Sequence, residues 1–423
     1  IRRPPRSTPL YSSAASDVYK RQIKKKLTIE NVNVDFIAKK YGTPTYCYSY
    51  AKLKKNIENF KKSFQSFSPL ICFAVKSNTN VNLIREIKRF GLGADVVSMG
   101  ELMMAIKAGI SPKKIVFSGV GKTFEELLYA INKNIFLINA ESENEIKQIE
   151  KIAKLKKKKI EIGIRLNPNT DAKTLSQIST GKKENKFGVN SKTFVRLVHN
   201  YKNSRNVKLK CLSVHIGSQI IDHKPYEKML KSITKILKKI NYEFEFIDLG
   251  GGMGISYNDY EKKLDYRKYC IAIKKFLNKN KSKIIFEPGR SIIGDTGTLV
   301  SKVIYIKKSG RKNFVIINAA MNDFMRPALY GASHKMLPSV KKNTNSKKTY
   351  EVVGPICEST DKFTTLKNFQ ELEENDFIVI CDVGAYGMSL SSNYNLRPKP
   401  IELLIKGSKI KIIRKRQKHK DLM

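Results

Sequence analysis

Lys76 stands at the end of a short apolar run, residues 69–75, and is followed by Ser77 and Asn78. A long ammonium side chain seldom lies at the end of a buried strand unless it is paired or functional. Burial lowers the pKa of a lysine and frees its amine to attack carbonyl carbons. Lys76 is therefore a candidate Schiff-base lysine, and the alternative is a surface lysine just beyond a strand.

Polar residues, or in one case a run of glycines, end or follow five of the apolar runs that are interpreted below as parallel strands. In a barrel of such strands, the chemistry gathers where the strands end, so we expect these side chains to converge on one rim. They are Lys76, Asp95, Ser98, His215, Gly250, Gly251, Gly252, Glu287 and Arg290.

Three of these positions suit a planar phosphorylated cofactor. The glycines provide bare backbone N–H groups that can bind phosphate, although a tight turn is the alternative. His215 can lie against the face of a ring, or be a hydrogen-bonded structural histidine. Glu287 can keep a pyridine nitrogen protonated, which makes the ring an electron sink for a carbanion, or form an ion pair with Arg290. Together with Lys76, they predict pyridoxal phosphate (PLP).

The elements that must position these residues follow a regular alternation between about residues 50 and 290. Short apolar, β-branched runs alternate with amphipathic helical stretches, which predicts a parallel sheet covered by helices. Eight such units favour a (β/α)8 barrel of the α/β class over an open sheet. The predicted strands are 71–76, 94–98, 115–119, 136–140, 160–166, 212–217, 246–250 and 284–288. The predicted helices include 81–90, 100–108, 123–132, 143–155 and 226–240.

The pattern changes after residue 298, where strands are predicted without intervening helices. The predicted strands are 298–307, 314–319, 350–353, 377–382 and 401–414, and residues 45–49 are expected to join them. We expect four parts: a non-native or disordered leader (1–22), an N-terminal segment joining the β domain (23–49), the PLP-binding barrel (50–298) and a C-terminal all-β domain (299–423). The leader lacks a starting Met and resembles translated sequencing-adapter read-through.

The β domain contributes polar clusters at residues 321–330, 354–361 and 384–387. Arg326 and Arg290 can form forks for substrate carboxylates. Glu358 can pair with a substrate ammonium group. Cys357, taken alone, is more typical of a small buried hydrophobic residue.

The amino-acid composition argues against several classes of protein. With 81 Lys and Arg against 37 Asp and Glu, the net charge is +44, but the basic runs are dispersed and form no single nucleic-acid module. No apolar run reaches the length of a membrane span. The six cysteines, at positions 47, 72, 211, 270, 357 and 381, include no CxxC pair, which argues against a metal site or disulfide framework and favours a reducing compartment such as the cytoplasm.

The long polar connection at residues 167–190 interrupts the alternation of strands and helices. Long loops in compact domains are usually functional or disordered. We interpret this one as a lid over the substrate.

The motifs, in their order along the chain, resemble those of the diaminopimelate decarboxylase family, which are PLP enzymes of the alanine racemase/ornithine decarboxylase fold (group IV decarboxylases). The resemblance runs from about residue 27 to 415. Small departures are Ser77 and Val383, where the family commonly has Ala, and neither removes a functional group. The motifs are residues 74–78 (AVKSN), 215–219 (HIGSQ), 250–252 (GGG), 287–290 (EPGR), 321–330, 357–361 (CESTD), 384–387 (GAYG) and 393–395 (NYN).

The resemblance implies a role for each matched residue. It implies that Lys76 is the Schiff-base lysine, that His215 stacks on the ring and that Glu287 contacts the ring nitrogen. It further implies that Cys357 donates the proton and that Cys357 and Glu358 come from the partner subunit of an obligatory homodimer. The residues implied around the phosphate are Ser218, Gly251, Gly289, Arg290 and Tyr386, and those implied for the substrate are Arg290, Arg326, Tyr330, Glu358 and Tyr386.

The resemblance predicts decarboxylation of meso-2,6-diaminopimelate to L-lysine and CO2, the last step of lysine biosynthesis. The alternatives are a decarboxylase of the same fold acting on ornithine, arginine or carboxynorspermidine, an alanine racemase, and a non-catalytic PLP-binding or nucleic-acid-binding protein. Two arginines and Glu358 favour a substrate with a distal carboxylate and amine. The racemase family has an arginine, rather than a glutamate, at the pyridine nitrogen.

Overall fold

The computed structural model describes residues 20–423 except positions 24, 259, 260, 262, 344 and 345, with the backbone alone at 20–23. Residues 1–19 of the expected leader lie outside the described residues, whereas residues 20–22 belong to the first strand. Strands β1 (Lys20–Ile23), β2 (Lys26–Ile29) and β3 (Val32–Asn33) form a small antiparallel sheet, followed by helix α1 (Val34–Tyr41) and strand β4 (Thr45–Ser49).

Eight parallel strands close into a barrel, with the last strand paired to the first. The predicted fold class is thereby confirmed. The strands are β5 (Leu70–Ala74), β6 (Gly93–Val96), β7 (Ile115–Phe117), β8 (Leu137–Ala140), β9 (Ile160–Arg165), β10 (Val207–Ser213), β11 (Phe246–Asp248) and β12 (Lys283–Phe286).

A helix follows each barrel strand, a further helix precedes the first strand, and each of them buries apolar residues. They are α2 (Tyr50–Phe64), α3 (Val81–Arg89), α4 (Met99–Lys107), α5 (Phe124–Asn132), α6 (Glu143–Lys156), α7 (Ser191–Tyr201), α8 (Lys224–Leu237), α9 (Tyr266–Leu277) and the single turn α10 (Arg290–Ile293). No helix within the described residues is long and apolar enough to cross a membrane.

Local sequence explains where these helices begin, as α5 illustrates. Thr123 caps it, because its hydroxyl accepts from the backbone N–H of Glu126 (3.2 Å) while the Glu126 carboxylate accepts from the N–H of Thr123 (3.0 Å). Glu126 also accepts from the N–H of Met99 at 2.8 Å, which ties the start of α5 to the start of α4. This mutual capping fixes neighbouring helices at the end of the barrel where strands β6 and β7 finish.

The C-terminal part is built around a twisted sheet in which β4, from the N-terminal segment, lies between β13 and β19. The elements are β13 (Gly297–Ser309), β14 (Lys312–Ile317), α11 (Arg326–Tyr330), β15 (Met336–Pro338), β16 (Lys347–Val353), β17 (Lys362–Gln370), β18 (Phe377–Cys381), β19 (Ile401–Lys406) and β20 (Lys409–Arg414). The prediction of strands without helices is wrong at α11, a single turn whose second residue, Pro327, suits a helix start.

A buried polar network joins the barrel to this sheet immediately after Lys76. Glu402 on β19 is fully buried and accepts from the Tyr48 hydroxyl (2.8 Å) and from the Asn80 amide (3.0 Å). The Asn78 amide donates to the carbonyl oxygen of Gly384 at 3.0 Å. Arg414 of the β domain also pairs with Glu402. Because Asn78 and Asn80 of the barrel segment donate to acceptors on the β domain, the network fixes that segment against it.

Candidate active site

Lys76 lies at the rim of the barrel, in a short 3₁₀ turn (Val75–Ser77) that follows β5. The expectation that Lys76 itself ends the strand is wrong by two residues. Its Nζ atom lies 2.6 Å from Oδ2 of Asp95, whose carboxylate is fully buried on β6, while 37% of the lysine side chain is exposed. The amine therefore faces the open end of the barrel with a buried carboxylate behind it.

The electrostatics of Lys76 differ from the sequence expectation. Burial lowers the pKa of the amine, but the attraction of Asp95 and then of Glu287 outweighs burial and leaves the pKa above its ordinary value. The prediction that the pKa of Lys76 is lowered is wrong. It rested on burial alone, whereas the fold also places two carboxylates beside the amine. Lys76 is therefore an ammonium group in this arrangement and must lose its proton before it attacks a carbonyl.

Glu287, which follows β12, and Asp248, at the end of β11, form a buried carboxyl pair. Burial and the charges of Asp248 and Asp95 raise the pKa of Glu287 well above its usual range. Asp248 accepts from the N–H of Gly250 (2.9 Å) and from the Asn139 amide (2.9 Å). Asp248 thus connects the ring-nitrogen candidate to the start of the glycine run.

The glycine run curves around His215 and the backbone after β12. The N–H of Gly251 donates to Nδ1 of His215 at 3.2 Å, so this ring nitrogen is unprotonated. Burial, followed by repulsion from Arg165 and Lys76, lowers the pKa of His215 well below its usual range. A Cβ atom on Gly251 would lie 2.1 Å from the carbonyl oxygen of Glu287, so this position requires glycine. The His215 side chain is therefore a neutral imidazole beside a turn of glycine backbone.

Arg290 is buried and has no carboxylate partner among the residues that the structure describes. Its guanidinium donates to the hydroxyls of Tyr257 and Ser218 (3.0 Å to the latter), and its Nε is buried without a hydrogen-bond partner. The ring of Tyr386 lies 4.8 Å from the guanidinium carbon. The predicted alternative, an ion pair between Arg290 and Glu287, is not formed.

Arg326 is a second buried arginine in the same cluster. Its guanidinium carbon lies 4.6 Å from the ring centre of Tyr257, and Nη1 lies 2.7 Å from Nε2 of His334. Burial lowers the pKa of Arg326 below its ordinary value. Tyr257 opposes this shift, and the like charge of Arg290 adds to it. Two guanidinium groups therefore share one tyrosine in a buried setting, which leaves positive charge for an anion.

The two tyrosines predicted for substrate binding approach the rim from the β domain. Tyr330 is the last residue of α11, one turn after Arg326, and is half-buried. Tyr386 has a positive φ of 56°, and its N–H donates to the carbonyl oxygen of Ser77 at 2.8 Å. The backbone of Tyr386 is thus anchored directly to the turn that carries Lys76.

Cys357 and Glu358 are exposed, and their side chains contact other residues of the C-terminal part of the chain. The Asn395 amide lies 3.4 Å from Sγ of Cys357, while Glu358 accepts from the hydroxyls of Tyr394 and Thr360 (3.0 Å to the latter). The expectation from the residue alone, a buried Cys357, is wrong. Tyr394 is exposed as well. The segments that carry Cys357 and Tyr394 therefore present polar and aromatic groups to the surface.

The connection 167–190 packs against the segment that carries His215 and Ser218. The Ser218 N–H donates to the carbonyl oxygen of Ile178 (3.0 Å), and the Thr180 hydroxyl donates to that of His215 (2.9 Å). The structure therefore places this connection beside the rim, and its action as a lid stays a prediction.

The residues present fit PLP. The Gly251 position has no room for a side chain, as a phosphate cradle requires, and the adjacent Arg290 has an unpaired buried Nε. Gly289 is similarly close-packed, since a Cβ there would lie 3.0 Å from the Ser77 side chain. A lysine and a buried carboxyl group, Lys76 and Glu287, complete the donor set that PLP requires.

Three residues of the site were missed by the sequence reasoning. Asp248 is a polar residue at the end of an apolar strand, the same signal that identified Asp95, so it could have been found. Tyr257 and His334 lie in loops, where no periodic pattern singles them out. Their contacts with Arg290 and Arg326 arise only from the folded arrangement.

The pKa of Glu101, a residue near the rim, can be tested through the pH dependence of stability. Burial raises its pKa from 4.5 to about 7, although Lys76 opposes the shift. Since the folded protein holds this proton to higher pH than the unfolded chain, the contribution to stability falls as the pH rises from about 4.5 to 7. Between pH 5 and 8, we expect Glu101→Gln to gain on the order of 2 kcal/mol of unfolding free energy relative to wild type.

Urea unfolding of both proteins at the two pH values measures this gain. Glu58→Gln, which removes an exposed carboxyl group on α2, is the matched control for the loss of one charge. A stability difference between Glu101→Gln and wild type that does not change with pH would contradict the raised pKa.

Comparisons with known proteins show the family to which the chain belongs. Residues 50–294 match the model of the family described as pyridoxal-dependent decarboxylase, pyridoxal binding domain. The chain is 42% identical over 393 residues to a diaminopimelate decarboxylase of Helicobacter pylori, covering 92% of this chain and 97% of that protein.

Solved structures show the same relationship. The crystal structure of diaminopimelate decarboxylase from Helicobacter pylori complexed with L-lysine has a TM-score of 0.87 and 42% identity, and covers 92% of this chain and 98% of the other. The diaminopimelate decarboxylase from M. jannaschii in complex with L-lysine has a TM-score of 0.90 and 33% identity, with coverage of 95% and 96%.

Proposed function

Because the chain belongs to the family of pyridoxal-dependent diaminopimelate decarboxylases, we propose that its barrel rim and a loop of a second subunit together form the active site. The enzyme decarboxylates meso-2,6-diaminopimelate to L-lysine and CO2, the last step of lysine biosynthesis, and depends on PLP. PLP, when bound, supplies an electron sink for the carbanion that the loss of CO2 creates. The high identity to diaminopimelate decarboxylases favours this function over the decarboxylation of ornithine, arginine or carboxynorspermidine.

The barrel residues hold the cofactor in this proposal. Lys76 would bind it covalently, and Asp95 would hold the lysine in place and stabilise its protonated form through the 2.6 Å ion pair. His215 would lie against the cofactor ring, and the Glu287 carboxyl group, whose pKa is raised by burial and by Asp248, would share a proton with the ring nitrogen. The residues that would surround the phosphate are Ser218, Gly250, Gly251, Gly252, Gly289, Arg290 and Tyr386.

The β domain recognises the end of the substrate that does not react. The substrate carries two carboxylates, of which one leaves as CO2 and the other must be held. Arg290 and Arg326 are buried and have no carboxylate partner among the described residues, so they suit the retained group. Tyr330 and Tyr386 complete this carboxylate site in our proposal, while the Glu358 carboxylate pairs with the distal ammonium group.

We further propose that Cys357 and Glu358 act in the active site of a partner subunit, in a homodimer. Both side chains are exposed and bond to Tyr394, Thr360 and Asn395 rather than to the barrel rim of their own chain. In this arrangement, Sγ of Cys357 gives its proton to the substrate carbon that has lost CO2. Closed twofold pairing would make the two shared sites equivalent.

Two broader proposals accompany this one. The division at about residues 23–49, 50–298 and 299–423 is supported by β13, which starts at Gly297 and pairs with β4. A cytoplasmic location is supported by the six cysteines, none of which forms a disulfide.

The single observation that carries the function is the pair of buried arginines beside the Lys76 rim, neither of which has a carboxylate partner in the part of the chain that the structure describes. The direct experiment is incubation of the PLP-loaded enzyme with meso-diaminopimelate in D2O. We expect L-lysine and CO2 in equal amounts, with one deuterium on the carbon that lost its carboxylate, because a single proton replaces CO2.

Ornithine and arginine serve as control substrates and should release little CO2, since neither carries the second carboxylate. Exchange of substrate hydrogen without CO2 release would instead indicate a racemase. Faster decarboxylation of ornithine than of meso-diaminopimelate would contradict the assigned substrate.

A further inference from the structure

His334 lies between the Arg326 side chain and the backbone of strand β18. Its Nε2 atom is 2.7 Å from Nη1 of Arg326, and its Nδ1 atom is 2.8 Å from the carbonyl oxygen of Cys381. A guanidinium group can only donate hydrogen bonds, so Nε2 must accept. Nδ1 then carries the proton and donates to the Cys381 carbonyl. The two contacts therefore fix a neutral imidazole in one tautomer.

The histidine ring is held rigidly. Only 4% of the residue is exposed, and the rings of Tyr257 and Phe324 pack edge-on against it, with centroids 4.8 and 4.7 Å away. Its backbone acceptor, Cys381, ends β18, which is paired on one side with β13 and on the other with β15. Arg326 is thus connected through His334 to an interior strand of the β domain.

We propose that His334 is a positioning residue that orients Arg326 for the substrate's retained carboxylate while leaving the positive charge of the arginine uncompensated. The inference rests on the proposed function of Arg326. A buried arginine is usually held by a carboxylate, which fixes its direction but cancels its charge. A neutral imidazole acceptor fixes one N–H group without that cancellation, so the remaining donors face the substrate with the full charge.

The arrangement of the neighbouring groups supports this role. Arg326 stacks on Tyr257, whose hydroxyl also accepts from Arg290, so the two like charges are separated by an aromatic side chain. The Nε atom of Arg326 is buried and has no hydrogen-bond partner in the described part of the chain. With His334 occupying Nη1, the guanidinium has a fixed orientation and still has donors available for a carboxylate.

Three substitutions at His334 separate orientation from charge. His334→Gln keeps an acceptor near the Nε2 position, His334→Phe keeps the ring but removes the acceptor, and His334→Asp supplies an acceptor that carries negative charge. Steady-state kinetics on meso-diaminopimelate and the dissociation constant of L-lysine are measured for each PLP-loaded protein. L-Lysine is informative at equilibrium because it keeps the carboxylate that Arg326 is proposed to bind.

We expect His334→Phe and His334→Asp each to raise KM and the L-lysine dissociation constant by about tenfold, with kcat changed less than about threefold. His334→Gln should stay within about threefold of wild type in all three constants. His199→Phe, on the exposed face of α7, is the matched control and should leave the constants unchanged.

Unchanged KM and L-lysine binding in both His334→Phe and His334→Asp would overturn the inference, as would a loss confined to kcat. If His334→Phe does not fold, His334→Asp alone decides, since its side chain is smaller than the one it replaces. Arg326→Gln distinguishes the two levels of the proposal. An unchanged KM in that variant would remove Arg326 from the substrate site and overturn its proposed function as well.

Discussion

The Lys76→Ala variant should lose at least about a thousandfold in kcat with meso-diaminopimelate, the effect expected when an enzyme loses the group that bonds covalently to its cofactor. Lys76 is the amine at the rim beside Asp95, Glu287 and the glycine run. The measurement is the rate of L-lysine formation at saturating PLP. Excess cofactor separates the loss of the reacting amine from weaker binding of PLP.

Lys107→Ala is the matched control for Lys76→Ala, because Lys107 is exposed at the end of α4 and touches none of the proposed site residues. It should keep full activity. Thermal unfolding of both variants checks that they are folded. A folded Lys76→Ala protein with a kcat near that of wild type would show that another amine does the chemistry.

Mixing Lys76→Ala with Cys357→Ala should restore activity that neither variant has alone. If Cys357 acts in the partner's site, a mixed dimer contains one site with both residues intact and one site that lacks both. Random exchange makes half the dimers mixed, so an equal mixture should reach about a quarter of wild-type activity. The assay is L-lysine formation after the subunits have been allowed to exchange, with exchange verified by mass-tagged chains.

Lys76→Ala mixed with Glu287→Ala is the control for this experiment. Both residues lie on the barrel rim of one chain, so no mixed dimer contains an intact site, and the activity should stay at the level of the separate variants. Recovery limited to the first mixture would support shared sites. If the first mixture stays inactive despite proven exchange, each site lies within a single chain.

The barrel could be predicted from the sequence because its signals are local. Each strand is a short apolar run, each helix follows its strand, and chemistry-bearing residues such as Lys76, His215 and Glu287 stand where strands end. Parallel strands joined by helices leave few ways to arrange the chain. The order of the β domain could not be predicted in the same way, because β4 reaches its place through pairing with β13 and β19, which are distant in sequence.

The details of the site depend on such distant contacts. The pKa of Lys76 was predicted in the wrong direction because Asp95 and Glu287 reach it from other strands. His334 and Tyr257 were missed because their roles lie in bonds to Arg326 and Arg290, which no spacing pattern encodes. The sequence thus predicts which side chains reach the rim better than it predicts their charge.

The most direct test of the cofactor site is to reduce the PLP-loaded enzyme with borohydride, digest it and map the modified peptide by mass spectrometry. Reduction fixes the cofactor to the amine that holds it. The mapping is stringent because the chain carries 65 lysines, so many other amines compete for the label. The rim geometry predicts one modified peptide, with the adduct on Lys76 and none in Lys76→Ala. An adduct on any other lysine as the principal product would contradict this assignment.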